Sequence, residues 1–229
     1  MIEEAIDYPR SGDDALTKIL IGGVLGMLSV LIVPAFLLLG YYVRVLRSIM
    51  NDEETPPAFE EWGDLLVDGL KAFAIAFAYS IVPLIVLAAT VGGTIAAAVS
   101  GDVPPGAIAG AFFGFAVGGV LWLVASYVIP AALASFASEG HLGAAFDTTV
   151  LRSVLLDGRY ATAWLVAFVF FVVAGVVVGV LNVIPPLGFV VGAFVNFYVG
   201  VAAAYLYGHA FVDASAGELP PETGAQPAV

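Results

Sequence analysis

Residues 72–100, AFAIAFAYSIVPLIVLAATVGGTIAAAVS, run for 29 positions without an Asp, Glu, Lys or Arg. A helix crosses the hydrocarbon core of a bilayer with about 20 residues. Apolar residues follow one another here instead of alternating, so the stretch reads as a lipid-embedded helix and not as a strand of a membrane barrel. Four further runs share this character, at residues 19–43, 103–138, 160–184 and 187–212. The expected fold is therefore all-α: a polytopic transmembrane bundle of about five spans forming one domain over residues 1–212. The third run is longer than one crossing needs and contains Pro130, which predicts a kink and a tilted or interfacial continuation.

Composition supports this reading. Hydrophobic residues make up 61% of the chain and charged residues 11%, against roughly 45–50% and 25% in an ordinary soluble domain. Nineteen acids against seven bases give a net charge of −12, concentrated in the short water-exposed segments. Such crowding of carboxylates is self-repelling in dilute buffer but is screened at 1 M salt, where the Debye length is about 3 Å, which points to a halophile. The basic footprint of a nucleic-acid-binding protein is absent. With no cysteine in the chain, disulfides, thiol catalysis and thiolate metal sites are excluded. The acidic start, MIEEAID, lacks the basic region of a signal peptide, so the first span is expected to stay.

The positive-inside rule orients the bundle. Arg44, Arg47 and Lys71 lie between spans one and two, and Arg152 and Arg159 between spans three and four, which places both connections and the C-terminus in the cytoplasm. Arg10 and Lys18 conflict with this if residues 19–43 cross fully. A re-entrant segment turning near Pro34 would remove the conflict, but 25 residues are short for two half-crossings, so a full crossing is expected. Residues 56–71 read as an interfacial helix, with Phe59, Trp62, Leu66 and Leu70 on one face and Glu60, Glu61, Asp64 and Asp68 on the other. A weaker stripe follows in Leu142, Phe146, Val150 and Val154. The tail, residues 213–229, is rich in Pro, Gly and Glu and is expected to be disordered.

An internal echo pairs LVDGLKA at 66–72 with LLDGRYA at 155–161, and Pro104-Pro105 then GAFFGF at 110–115 with Pro185-Pro186 then GAFVNF at 192–197. It suggests a parallel repeat of two helical hairpins, residues 64–138 and 153–212. Gly106, Gly110, Gly114 and Gly118 recur every fourth residue, and Gly188, Gly192, Asn196, Gly200, Ala204 and Gly208 form a second ladder. Small residues let helix backbones approach closely in lipid, so these faces are read as helix packing, with a pore lining or an oligomer seam as the sharper alternative.

No run contains an ionisable carboxylate, Lys or Arg, which disfavours coupling through a buried acid. The polar residues that could line a path or bond between helices are Asn196, Tyr198, Asn182 and Thr94. A metal or acid–base site at His141 or His209 would need converging partners that only Asp147, Asp157 or Asp213 could supply, and no nucleophile elbow occurs. No catalytic residue, metal or cofactor is expected.

The order GYYVRVLR at 40–47, PAFEEWGDL at 57–65 and DGLK at 68–71 resembles the signature of a family of archaeal polytopic membrane proteins catalogued as a domain of unknown function and common in halophiles. The resemblance covers most of the chain apart from the tail. It implies membrane location and halophilic origin and carries over no ligand residue. Arg44, Arg47 and Trp62 read independently as interfacial residues, meeting lipid headgroups or nearby acids. Two functions remain open: a non-enzymatic scaffold or accessory protein that binds lipids, a homo-oligomer or a membrane-protein partner, and a channel or transporter for a small neutral or lipophilic solute.

Overall fold

The computed structural model describes residues 2–101 and 106–216 and contains eight α-helices. They are α1 (Ile2–Asp7), α2 (Ala15–Met27), α3 (Val33–Met50), α4 (Trp62–Ser100), α5 (Ala107–Glu139), α6 (Thr148–Leu156), α7 (Gly158–Leu181) and α8 (Pro185–Ala216). Short 3-10 turns lie at Tyr8–Arg10, Leu28–Leu31 and Leu142–Phe146, and no strand occurs among the described residues. Helices α3, α4, α5, α7 and α8 are long and apolar enough to cross a membrane, as the unbroken apolar runs predict. Residues 102–105 and 217–229, which include the start of the third predicted span and most of the expected disordered tail, lie outside the described residues. Residues 213–216 belong to α8.

Two hairpins supply the frame. In α4–α5, Gly114 faces Thr90 and Gly118 faces Leu87; in α7–α8, Gly192 faces Val178. Both hairpins start from the same end of the bundle. Pro185 and Pro186 open α8, where a missing N–H costs nothing. Pro130 lies inside α5, which continues past it to Glu139.

The first apolar run departs from expectation. It is broken at residues 28–32, and the helices on either side of the break both pack on α8, in opposite directions. Along α2, Gly22 meets Phe197 and Gly26 meets Ala193, so the two chains run antiparallel. Along α3, Tyr42 meets Gly200 and Ile49 meets Gly208, so these run parallel. Helices α2 and α3 therefore form a hairpin whose outer ends share one end of the bundle, so residues 19–43 do not run through it as one continuous helix. Ile32 turns the corner at φ +67°, an outlier for a β-branched residue, and Pro34 occupies the first turn of α3.

The physical reason is length. The arms run from Ala15 to Met50, because Lys18, Arg44 and Arg47 are neutralised in place and do not end their helices. The Lys18 ammonium is buried, 2.8 Å from Asp14 Oδ1, and donates to Pro56 O at 2.5 Å. It also holds the Asp14 carboxyl below the usual range through a hydrogen bond. All seven bases now share one end, and the conflict over Arg10 and Lys18 disappears. The chain has no cysteine, so single Asp13→Cys and Glu54→Cys variants test the hairpin directly. Both are expected to react with an impermeant maleimide from the same side of the membrane; reaction from opposite sides would restore the full crossing.

The interfacial-helix expectation also needs correction. Residues 56–61 are not helical, and the segment from Trp62 to Lys71 is the first part of the 39-residue helix α4. Pro56 and Pro57 bring no N–H, and the carbonyls of this segment accept hydrogen bonds from α2 and α3, which keeps it extended. The second stripe is likewise divided: Leu142 and Phe146 lie in a 3-10 turn, while Val150 and Val154 lie in α6, which starts where Asp147 Oδ1 accepts from Thr149 N at 2.8 Å.

Candidate functional site

Helices α3 and α4 cross with their backbones in contact. A Cβ on Gly40 would lie 1.9 Å from Leu65 O, and one on Gly69 would lie 1.8 Å from Phe36 O. Only glycine fits either position. The crossing places the polar end of α3 against the strap formed by residues 56–61. Tyr41, fully buried, donates to Pro57 O at 3.1 Å and stacks on Phe59 at 3.9 Å between ring centroids. Arg44 donates to Glu60 O at 2.7 Å and to Ala58 O at 3.5 Å, and its guanidinium lies 3.3 Å from Glu61. Trp62 stacks on Phe59 and leaves about half of its surface exposed.

One turn further on, Arg47 pairs with Asp68, which also lies 3.9 Å from Lys71 Nζ. Arg47 Nε donates to Ala137 O at 3.2 Å, in the last turn of α5, where exposed carbonyls favour a cation. The fully buried ring of Phe136 lies 5.7 Å from the Arg47 guanidinium and 5.8 Å from Lys71 Nζ, within cation–π range. A single carboxylate and a single ring thus tie α3, α4 and α5 together.

A second lock joins Pro130 to Tyr127, Tyr160 and Trp164, which were not singled out from sequence. Pro130 has no N–H, so the carbonyl one turn earlier, Ser126 O, is released from the helix ladder. Trp164 Nε1 of α7 donates to it at 2.9 Å. Beside it Tyr160 donates to Tyr127 O at 2.7 Å, and Tyr127 to Leu155 O at 2.8 Å. Reading four residues back from Pro130 would have marked the acceptor, but nothing in sequence names the donor.

The proposed path residues do not converge. Thr94 Oγ1 donates to Thr90 O, Asn182 Nδ2 to Val178 O and Asn196 Nδ2 to Gly192 O, each within its own helix. Tyr198 donates to Ile6 O of α1. The glycine ladders divide similarly: Gly114 and Gly118 pack on α4, whereas Gly110 and Gly106 meet nothing within 4 Å. Gly188 packs on Asn182 of its own turn, Gly192 on α7, and Gly200 and Gly208 on α3. Gly22 and Gly23 of α2, against the rings of Phe197 and Phe194, are the close approach the ladders did not indicate. In the echo, Asp68 pairs with Arg47 whereas Asp157 caps α7 by accepting from Arg159 N, so the matched acids do different work.

His141 Nδ1 accepts from Ala144 N at 3.1 Å, and Nε2 lies 2.8 Å from Glu139. His209 lies against Tyr205. No group of three metal-ligating side chains occurs among the described residues.

Residues 27–183, about two thirds of the chain, match a family described as a protein of unknown function, DUF4013. The chain belongs to the DUF4013 family. No curated protein and no solved structure matches this DUF4013 protein. The matched region contains both glycines of the crossing, the strap, the Arg47–Asp68–Lys71 cluster and the Pro130–Trp164 lock. What unites these residues in the DUF4013 chain is the fastening of one end of a helical bundle.

Proposed function

We propose that this is a non-enzymatic membrane scaffold or accessory protein, embedded as a multi-pass bundle with its charged end in the cytoplasm. The observation that carries the reading is the way the polar groups of the spans are spent. Thr94, Asn182 and Asn196 each bond to a carbonyl of their own helix, one turn back, as isolated polar residues in packed apolar helices do. A solute path would need such groups to face one another. The charged side chains, by contrast, gather at one end, where seven bases support the cytoplasmic assignment and an acidic surface is available to a partner.

Reconstitution into liposomes tests the proposal. Flux of a panel of small neutral and lipophilic solutes is expected to equal that of empty vesicles; saturable flux of any one of them would replace the scaffold with a transporter. The net charge of −12 also supports work at high salt in a haloarchaeal membrane. Thermal stability should fall on dilution from molar to millimolar salt, and unchanged stability would remove that part of the reading.

A further inference from the structure

Five of the seven bases pair with acids at the charged end, and the two that do not lie in α6 and at the start of α7. Arg10, Lys18, Arg44, Arg47 and Lys71 each have an acidic partner. Arg152 and Arg159 are exposed, and neither guanidinium has an ion pair or a hydrogen bond among the described residues. Their neighbouring acids are turned away from them. Asp147 Oδ1 accepts from Thr149 N and Val150 N at the start of α6, and Asp157 Oδ1 accepts from Arg159 N at the start of α7.

The surroundings of Arg152 are those of an amphiphile's polar head. An open cavity of about 490 Å³ is lined by Thr148, Thr149, Arg152, Ser153 and Leu156 and by no carboxylate. The hydroxyls of Thr148 and Thr149 make no hydrogen bond within the described residues. Leu156 leaves 75% of its surface exposed, although it directly precedes the lipid-spanning helix α7. Leu151 and Val154 fix the opposite face of α6 in the core, so the exposed face cannot roll inward. A water-facing surface has no use for this leucine, whereas the boundary between headgroups and acyl chains does.

We propose that the exposed face of α6 binds the phosphate of an anionic phospholipid, with Arg152 and Arg159 contacting the headgroup and Leu156 the upper part of its chain. A guanidinium matches a phosphate with two parallel hydrogen bonds and is charged at all working pH values. In a chain of net charge −12, two uncompensated guanidiniums beside an exposed leucine are complementary to an anionic bilayer surface. The inference rests on membrane embedding alone and is independent of the scaffold reading.

The test uses the full chain in phosphatidylcholine vesicles containing spin-labelled phosphatidylglycerol or spin-labelled phosphatidylcholine, with the immobilised fraction of each label measured. Phosphatidylglycerol is expected to be selected, and the Arg152→Gln/Arg159→Gln double variant to lose most of that selectivity, about fivefold per base removed. Arg152→Lys/Arg159→Lys should recover part of it. Both side chains are exposed and neither guanidinium makes an ion pair or hydrogen bond among the described residues, so thermal stability should be unchanged in each variant. Equal immobilisation of the two lipids by the natural chain would overturn the proposal. So would selectivity that survives the double variant, or that falls equally in Arg10→Gln, which removes one charge elsewhere. Protection by millimolar inorganic phosphate without any lipid selectivity would assign the face to free phosphate and overturn the lipid as its source.

Discussion

Replacing Gly69 with Ala is expected to lower the thermal stability of the detergent-solubilised protein more than any other single methyl addition. The new Cβ would lie 1.8 Å from Phe36 O and 2.6 Å from Phe36 C. Both are backbone atoms, so no side-chain rotation relieves the overlap and α3 must move away from α4. Gly40→Ala meets Leu65 O at 1.9 Å from the other side of the same crossing. Overpacking costs about 1–3 kcal/mol and occasionally more, and the upper end applies here. Displacing α3 also draws Tyr41, Arg44 and Arg47 away from the strap and from Asp68. Gly110→Leu provides the contrast, because nothing lies within 4 Å of that position and leucine is at home in hydrocarbon. A melting temperature for Gly69→Ala equal to that of the unsubstituted protein would show that the two backbones are not in contact.

The contrast between Gly69 and Gly110 marks what sequence could reveal. Four-residue spacing correctly places glycines on one helix face, but does not say which part of that face has a neighbour. Gly114 and Gly118 lie against α4, while Gly110 on the same face has nothing within 4 Å. Gly40 and Gly69 belong to no ladder. Their close approach depends on where two helices cross, a property of three-dimensional geometry that neither helix carries alone. The spans themselves were legible because lipid imposes a length and forbids unpaired backbone, leaving an unbroken apolar run as the signal.

The break in the first apolar run was missed for a related reason. Ending a helix at the first charge assumes that a charge cannot be accommodated, and Lys18, Arg44 and Arg47 are accommodated by specific partners up to 90 residues away. The conflict of Arg10 and Lys18 with the positive-inside rule was the legible clue. Asn196, Asn182 and Thr94 were overvalued because a polar side chain in an apolar run suggests a partner across the bundle, whereas the nearest acceptor is the carbonyl one turn back in its own helix. The acids near Arg44 and Arg47 were legible in the 40–71 segment, but the convergence of Arg44 on carbonyls of residues 58–60 could not be inferred from spacing.

Asp68 should prove the most sensitive charged residue of the bundle. It is largely buried and sits between Arg47 of α3 and Lys71 of its own helix, so Asp68→Asn leaves two cations facing the same Phe136 ring with no counter-charge. Removing one partner of a fully buried pair costs about 3–5 kcal/mol, and an exposed pair is worth about 0–1 kcal/mol. Arg47 and Lys71 are about one third exposed, and water screens part of the loss, so about 2 kcal/mol is expected. Lys71→Gln should cost less than about 0.5 kcal/mol, since its ammonium is 3.9 Å from the carboxylate and is held mainly by the i,i+3 geometry. Arg47→Gln removes the excess charge that Asp68→Asn exposes. The double variant should therefore be more stable than the sum of the two single losses, by about 1 kcal/mol in a thermodynamic cycle measured by thermal or denaturant unfolding. If Asp68→Asn is no more damaging than Lys71→Gln, the carboxylate does not join α3 to α4, and the fastening of the charged end rests on the glycine crossing and the strap carbonyls alone.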